Sequence, residues 1–132
     1  GSCMEQRAPL EIVRAWIAAA NAQDTSRLIQ LSDPNIEISG PRGSGIGQKL
    51  LRGWLARAGL ALETTRAFAR GHVVVLEQRG VWRSLESGAV TGERALASAF
   101  RTDERRVVWF GRYDDLATAL KAADIARSDE LR

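Results

Sequence analysis

The chain has 132 residues, 45% of them hydrophobic and 27% charged, with nineteen Lys and Arg against sixteen Asp and Glu and a net charge of +3. That length and apolar fraction suit one packed domain and exclude wholesale disorder. A single Cys and a single His exclude a disulfide framework and an ordinary zinc site, and no apolar run approaches the roughly 18 residues of a membrane span. Gly1-Ser2-Cys3 ahead of Met4 reads as a cloning remnant, which leaves residues 4–132 as a single domain and the lone Cys3 outside it. No signal-peptide pattern follows Met4, so a cytoplasmic protein is expected. Acids are interleaved with the arginines throughout, as at Asp103-Glu104-Arg105-Arg106, which is a mixed surface rather than the basic stripe of a nucleic-acid binder.

Pro9 opens a helical pattern in which Leu10, Val13, Trp16, Ile17 and Ala20 recur at three- and four-residue spacing through about residue 22. Asp24 or Thr25 can cap a short second helix carrying Leu28, Ile29 and Leu31. Asp33-Pro34-Asn35 is a turn signal, and Ile36-Glu37-Ile38 a short strand. Gly40 to Gly45 breaks the chain again before a third helix over about 46–58, with Leu50, Leu51, Trp54 and Leu55 as its stripe. From residue 60 the period changes from helix to strand. Four strands are predicted, at about 61–69, 72–83, 90–101 and 106–112, and their short connections require antiparallel hairpins. A last amphipathic helix is expected over 114–125. Helices first and a meander after them mean an α+β fold: three N-terminal helices on a curved, mostly antiparallel sheet, helices packed on one face, with a C-terminal helix.

The order of these elements, with Trp16-x-x-Ala19-x-Asn21-x-x-Asp24 on the first helix, resembles the nuclear-transport-factor-2-like (NTF2-like, cystatin-like) superfamily, and within it the SnoaL-like polyketide cyclase and ketosteroid isomerase branch. The resemblance spans residues 8–125. It implies a cone of sheet and helices around a ligand cavity, and a homodimer. It is specific for fold and weak for function.

Set beside ketosteroid isomerases, the oxyanion-binding Tyr position falls on Trp16. The basic Asp, just before a loop similar to Pro41-Arg42-Gly43-Ser44-Gly45, falls on Ile38. The protonated Asp that precedes a Phe-Arg pair falls on Ser98, ahead of Phe100-Arg101. Trp is a donor without a phenol, Ile takes no proton, and Ser is a weaker oxyanion partner than a carboxylic acid. Steroid isomerisation by that mechanism is therefore expected to be absent.

Other chemistry has few carriers. Glu37 adjoins the lost base, but strand alternation puts it on the face opposite Ile38. Glu77 and Arg79 share a strand face with Val73 and Val75, while Val74, Leu76, Gln78 and Trp82 share the other. If the first face lines the cone, the pair could polarise a small substrate; if not, it is a surface or interface ion pair. His72 follows Gly71 at a strand start, with no orienting acid or nucleophile identifiable. The glycines from Gly40 to Gly47 lack the Lys-Ser/Thr pair of a phosphate-binding loop.

Trp16, Trp54, Trp82 and Trp109 are core candidates first, yet in a cone some must line the hollow, where an indole suits a ring-bearing ligand. Tyr113 could add a hydroxyl at the rim. The expected pocket therefore comprises Trp16, Ile38, Trp54, Trp82, Ser98, Trp109 and Tyr113, with no metal and no cofactor. The leading expectation is a protein that binds a small apolar or aromatic molecule. The alternative is an isomerase, cyclase or epoxide-hydrolase type of enzyme using residues such as Glu77 and Arg79. Ala95, Ala97 and Ala99 form a smooth strip suited to sheet-to-sheet dimerisation.

Overall fold

In the computed structural model the first amphipathic stripe forms α1 (Ser2–Asn21), starting seven residues before the expected Pro9, which is thus interior and omits one helix hydrogen bond. Residues 2–40, 43–58, 60–84 and 86–131 are described, the side chains of 2–8, 40, 43, 44, 54–58 and 60 excepted. Asp24 caps α2 (Thr25–Gln30), accepting the Arg27 N–H at 3.1 Å.

The following strand is longer than the sequence suggests. β1 covers Ser32–Gly40, and its register against its neighbour shifts between Ser32 and Glu37, where Asp33 accepts the Asn35 N–H at 2.7 Å around the donor-less Pro34. The turn signal is thus real, but it makes an irregularity inside a strand. The Gly-rich segment is likewise not only a loop: β2 (Gly43–Ile46) pairs antiparallel with β1. Gly47, at φ +112°, donates its N–H to the Ile36 carbonyl at 2.8 Å and sets the entry to α3 (Gln48–Ala58).

The meander forms as expected: β3 (Leu60–Arg70), β4 (Val73–Arg83), β5 (Val90–Thr102) and β6 (Val107–Tyr113), each antiparallel to the next. β1 runs parallel to β6, and a two-residue β7 (Glu130–Leu131), which has no sequence signal, adds to β3. The sheet order is β2-β1-β6-β5-β4-β3-β7. At its edge Arg66 forms a bidentate pair with Glu130 at 2.6 and 3.0 Å.

One expectation is corrected here. The helices do not all share a face. α1 packs over β3 to β6, and α2 and α3 pack beside β1, so these three cover the inner face. α4 (Leu116–Ala123) packs on the outer face of β4, β5 and β6, because Ala97 and Ala99 leave room for Leu116, Ala119, Leu120 and Ala123 against Val75, Phe68 and Trp109. The smooth strip expected to meet a second chain is thus covered by the protein's own helix at Ala97 and Ala99, while Ala95 is exposed.

Asn21 ties the end of α1 to β3, donating to the Leu62 carbonyl at 2.9 Å and accepting its N–H at 2.8 Å. On the outer face, a Cβ at Gly111 would lie 2.9 Å from both the Trp109 and Tyr113 rings. Gly111→Ala is expected to cost about 1–3 kcal/mol through overpacking, read as a lowered urea midpoint. A cost indistinguishable from zero would mean that the two rings do not close over that glycine.

Asp103 organises the β5–β6 turn, accepting the N–H groups of Arg105 and Arg106 at 2.8 and 2.7 Å. Burial pushes its carboxyl up, but these bonds, then Arg106 and His72, outweigh it and leave the group below its ordinary value. The unfolded chain then binds more protons at that site, so its stabilisation is present above the unfolded value near 3.9 and is lost as pH falls through the folded one. Asp103→Asn is expected to flatten the fall in urea midpoint between pH 5 and pH 3. Equal slopes for the two proteins would contradict that role.

Candidate functional site

Strand register decides which side chains face the helices. Val74, Phe100 and Phe110 lie abreast on β4, β5 and β6, with Ile38 beside Phe110 on β1. Leu76, Ser98 and Arg112 form the next row, Gln78 lies opposite Thr64 and Leu96, and Gly80 opposite Leu62 and Arg94, with Trp82 following. This is the inner face. Its floor is filled: Trp16, fully buried, meets Phe100 edge-on at 5.5 Å and Phe110 at 4.9 Å, and its indole N–H donates to the Ser32 hydroxyl at 2.9 Å.

Above the floor lies a polar step. Ser98, with no exposed surface, donates to Gln78 Oε1 at 2.7 Å, and Gln78, 1% exposed, reaches Thr64 with its Nε2 at 3.5 Å. Towards the more exposed end of this face, the Arg112 guanidinium lies 5.3 Å over the Trp82 ring, both side chains half-buried, and Arg94 pairs with Asp114. Burial, and secondarily Arg94, draw the Arg112 guanidinium below its ordinary value, with Asp114 acting the other way.

Of the expected pocket residues, the structure brings Trp16, Ile38, Trp82 and Ser98 to this inner face. Trp54 is on α3, but its side chain lies outside the described residues. Trp109 and Tyr113 are corrected: alternation along β6 turns both outwards, against α4, where the Trp109 N–H donates to Ser39 at 3.3 Å. Burial raises the Tyr113 phenol above its ordinary value.

The catalytic candidates also separate from the inner face. Glu77 and Arg79 are on the outer face, and Arg79 pairs with Glu93, whose hydrogen bond and charge hold the guanidinium more firmly protonated. They line a groove of about 430 Å³ together with Thr65, Gln78, Glu93, Arg94 and Ala95. Glu37 is exposed opposite Trp109 on the same outer face. His72 is exposed in the β3–β4 turn, where its carbonyl accepts from the Thr102 N–H and hydroxyl. Among the described residues, no cluster of three or more His, Cys, Asp or Glu could hold a metal ion, and no helix is long and apolar enough to cross a membrane.

Gln78, Arg112, Arg94 and Asp114 belong to the site and were not singled out from sequence. Gln78 shares the period-2 face of Leu76 and Trp82, and Arg112 stands two residues after Phe110, so alternation carried the signal once the inner face was known.

The architecture is that of the NTF2-like, cystatin-type fold. A putative polyketide cyclase from Xanthomonas campestris pv. campestris superposes with a TM-score of 0.72 at 16% identity, over 86% of this chain and 95% of that one. An NTF2-like protein of unknown function from Cytophaga hutchinsonii gives 0.69 at 16%, over 81% and 89%. TerC, co-crystallised with polyporic acid, gives 0.71 at 16%, over 88% and 97%. Likeness at such identities is a likeness of fold. No protein-family model and no curated protein matches the sequence.

Proposed function

We propose that the protein binds a small apolar or aromatic molecule against the more exposed end of the inner sheet face, without the acid–base chemistry of ketosteroid isomerases. The observation that carries this reading is the state of the three positions aligned with the isomerase groups. Trp16 spends its N–H on Ser32, Ile38 is apolar, and Ser98 spends its hydroxyl on Gln78. A proton-transfer site needs a group free to give or take a proton at the substrate. The polar groups aligned with that chemistry are instead turned to holding the fold, while Trp82 keeps an indole partly exposed. TerC, a neighbour in fold, was co-crystallised with a small molecule, polyporic acid, which supports a small-molecule reading.

A thermal-shift screen of steroid-like, terpenoid and polyketide-like compounds tests the proposal, since a ligand of the folded state raises the midpoint by mass action. The expected result is a concentration-dependent rise for ring-bearing compounds, weakened by Trp82→Ala, with no steroid isomerisation by the same preparation. Isomerase turnover, or no rise for any compound, would contradict it.

Pairing of two chains through the sheet is proposed on narrower ground. With α4 over Ala97 and Ala99, the outer area left for a second copy surrounds Ala95 with Glu77, Arg79 and Glu93. Light scattering at micromolar concentration should give a dimer mass, and a clean monomer would refute the pairing.

A further inference from the structure

The charges at the more exposed end of the inner face do not balance. Arg94 and Asp114 pair with each other, which leaves Arg112 as a second cation, half-buried over the Trp82 ring, with Asp114 acting on it through charge and, among the described residues, no carboxylate in hydrogen-bond reach. Glu63, Glu77 and Glu93 are on the outer face by register, and Asp114, just past the end of β6, is already engaged by Arg94. Residues 48–60, which lead into β3, contain no Asp or Glu.

A guanidinium partly withdrawn from water and stacked on an indole still presents its N–H fork edge-on, the geometry that suits a carboxylate. Ser98 stands directly opposite Arg112 in the β5–β6 register, with side chains about 4.5–5.5 Å apart at Cβ. Its hydroxyl proton is committed to Gln78, so the cation, and not the serine, is the donor on offer there.

We propose that Arg112 is the anchor of an anion subsite, and that the ligand of the inner face is a ring-bearing acid, its carboxylate on the Arg112 guanidinium and its ring against Trp82. This rests on the reading that the inner face binds a ring-bearing molecule and adds its charge. The flat ring and the oxyanion are recognised by adjacent side chains, the indole by area and the guanidinium by bidentate hydrogen bonds.

Matched probes separate the two ideas. Calorimetric titration at pH 7 compares 2-naphthoate with 2-naphthamide, which has the same ring and no charge. The expected result is binding of both, the acid at least about tenfold tighter, the worth of one charge-assisted contact. Arg112→Met, which keeps the aliphatic stem over Trp82, should bring the acid down to the affinity of the amide and leave the amide unchanged. Arg112→Lys should retain part of the preference. Equal affinities of the native protein for acid and amide would overturn the anion subsite and leave the pocket standing. Binding of neither would overturn both. The acid–amide comparison is made on the native protein, so it decides even if a variant fails to fold.

Discussion

Replacing Trp16 by alanine is expected to destabilise the protein by about 3–5 kcal/mol, the range for emptying a fully buried tryptophan site. Three losses combine. The indole fills the floor of the inner face between Phe100, edge-on at 5.5 Å and an interplanar angle of 71°, and Phe110 at 4.9 Å. Its removal opens a cavity that those rings, themselves 5.2 Å apart, can only partly close. It also removes the donor to Ser32, whose hydroxyl is itself fixed by donating to the Leu28 carbonyl at 2.7 Å. Against a total stability of about 5–15 kcal/mol for a domain, such a loss is a large fraction of the whole. Trp16→Phe should recover most of the packing and none of the hydrogen bond. Urea denaturation of the three proteins checks the order, and an alanine cost below about 1 kcal/mol would mean that the floor is not packed as described.

The second large effect concerns Gln78 and Ser98. Ser98→Ala leaves Gln78 Oε1 without its donor at a site that water does not reach, and is expected to cost about 1–3 kcal/mol. Gln78→Leu keeps similar volume and leaves the Ser98 hydroxyl unpaired instead, at a similar cost. Carrying both changes at once removes donor and acceptor together, so the double variant should be more stable than the sum of the singles by about 1–2 kcal/mol. Additive losses would show that the two side chains are not partners. The pairing bears on function, because a hydroxyl held by Gln78 is not available to an oxyanion.

The sequence made the helix-then-meander order legible because the apolar period changes from 3.6 to 2 near residue 60 and because the hairpins are short. Asp24 and Asn21 show two levels of what local pattern carries. The cap at Asp24 is a local rule and was readable, whereas the clasp of Asn21 on Leu62 joins residues far apart in the chain. β2 and β7 were not readable for the same reason. One is built from glycines with little strand preference, and the other is two residues long and exists only because β3 offers an edge.

The site was legible to the same limit. Alternation placed Glu77 with Arg79 and Gln78 with Trp82, but only the packing of α1 against β4 says which set is inside. Trp109 and Tyr113 went to the outer face by the same parity, where α4 needed a partner. The resemblance to isomerases carried the substitutions at Trp16, Ile38 and Ser98, yet not what those side chains do instead.

The most direct test of a ring-binding inner face is the tryptophan indole N–H region of a nitrogen–proton correlation spectrum, assigned by single Trp→Phe variants, during a titration with 2-naphthoate. Trp82 is half-buried on the inner face, and Trp109 is beneath α4 on the outer face. A saturable shift of the Trp82 resonance with Trp109 unmoved is the predicted result. No shift of Trp82 at millimolar naphthoate, or a shift of Trp109 alone, would contradict it.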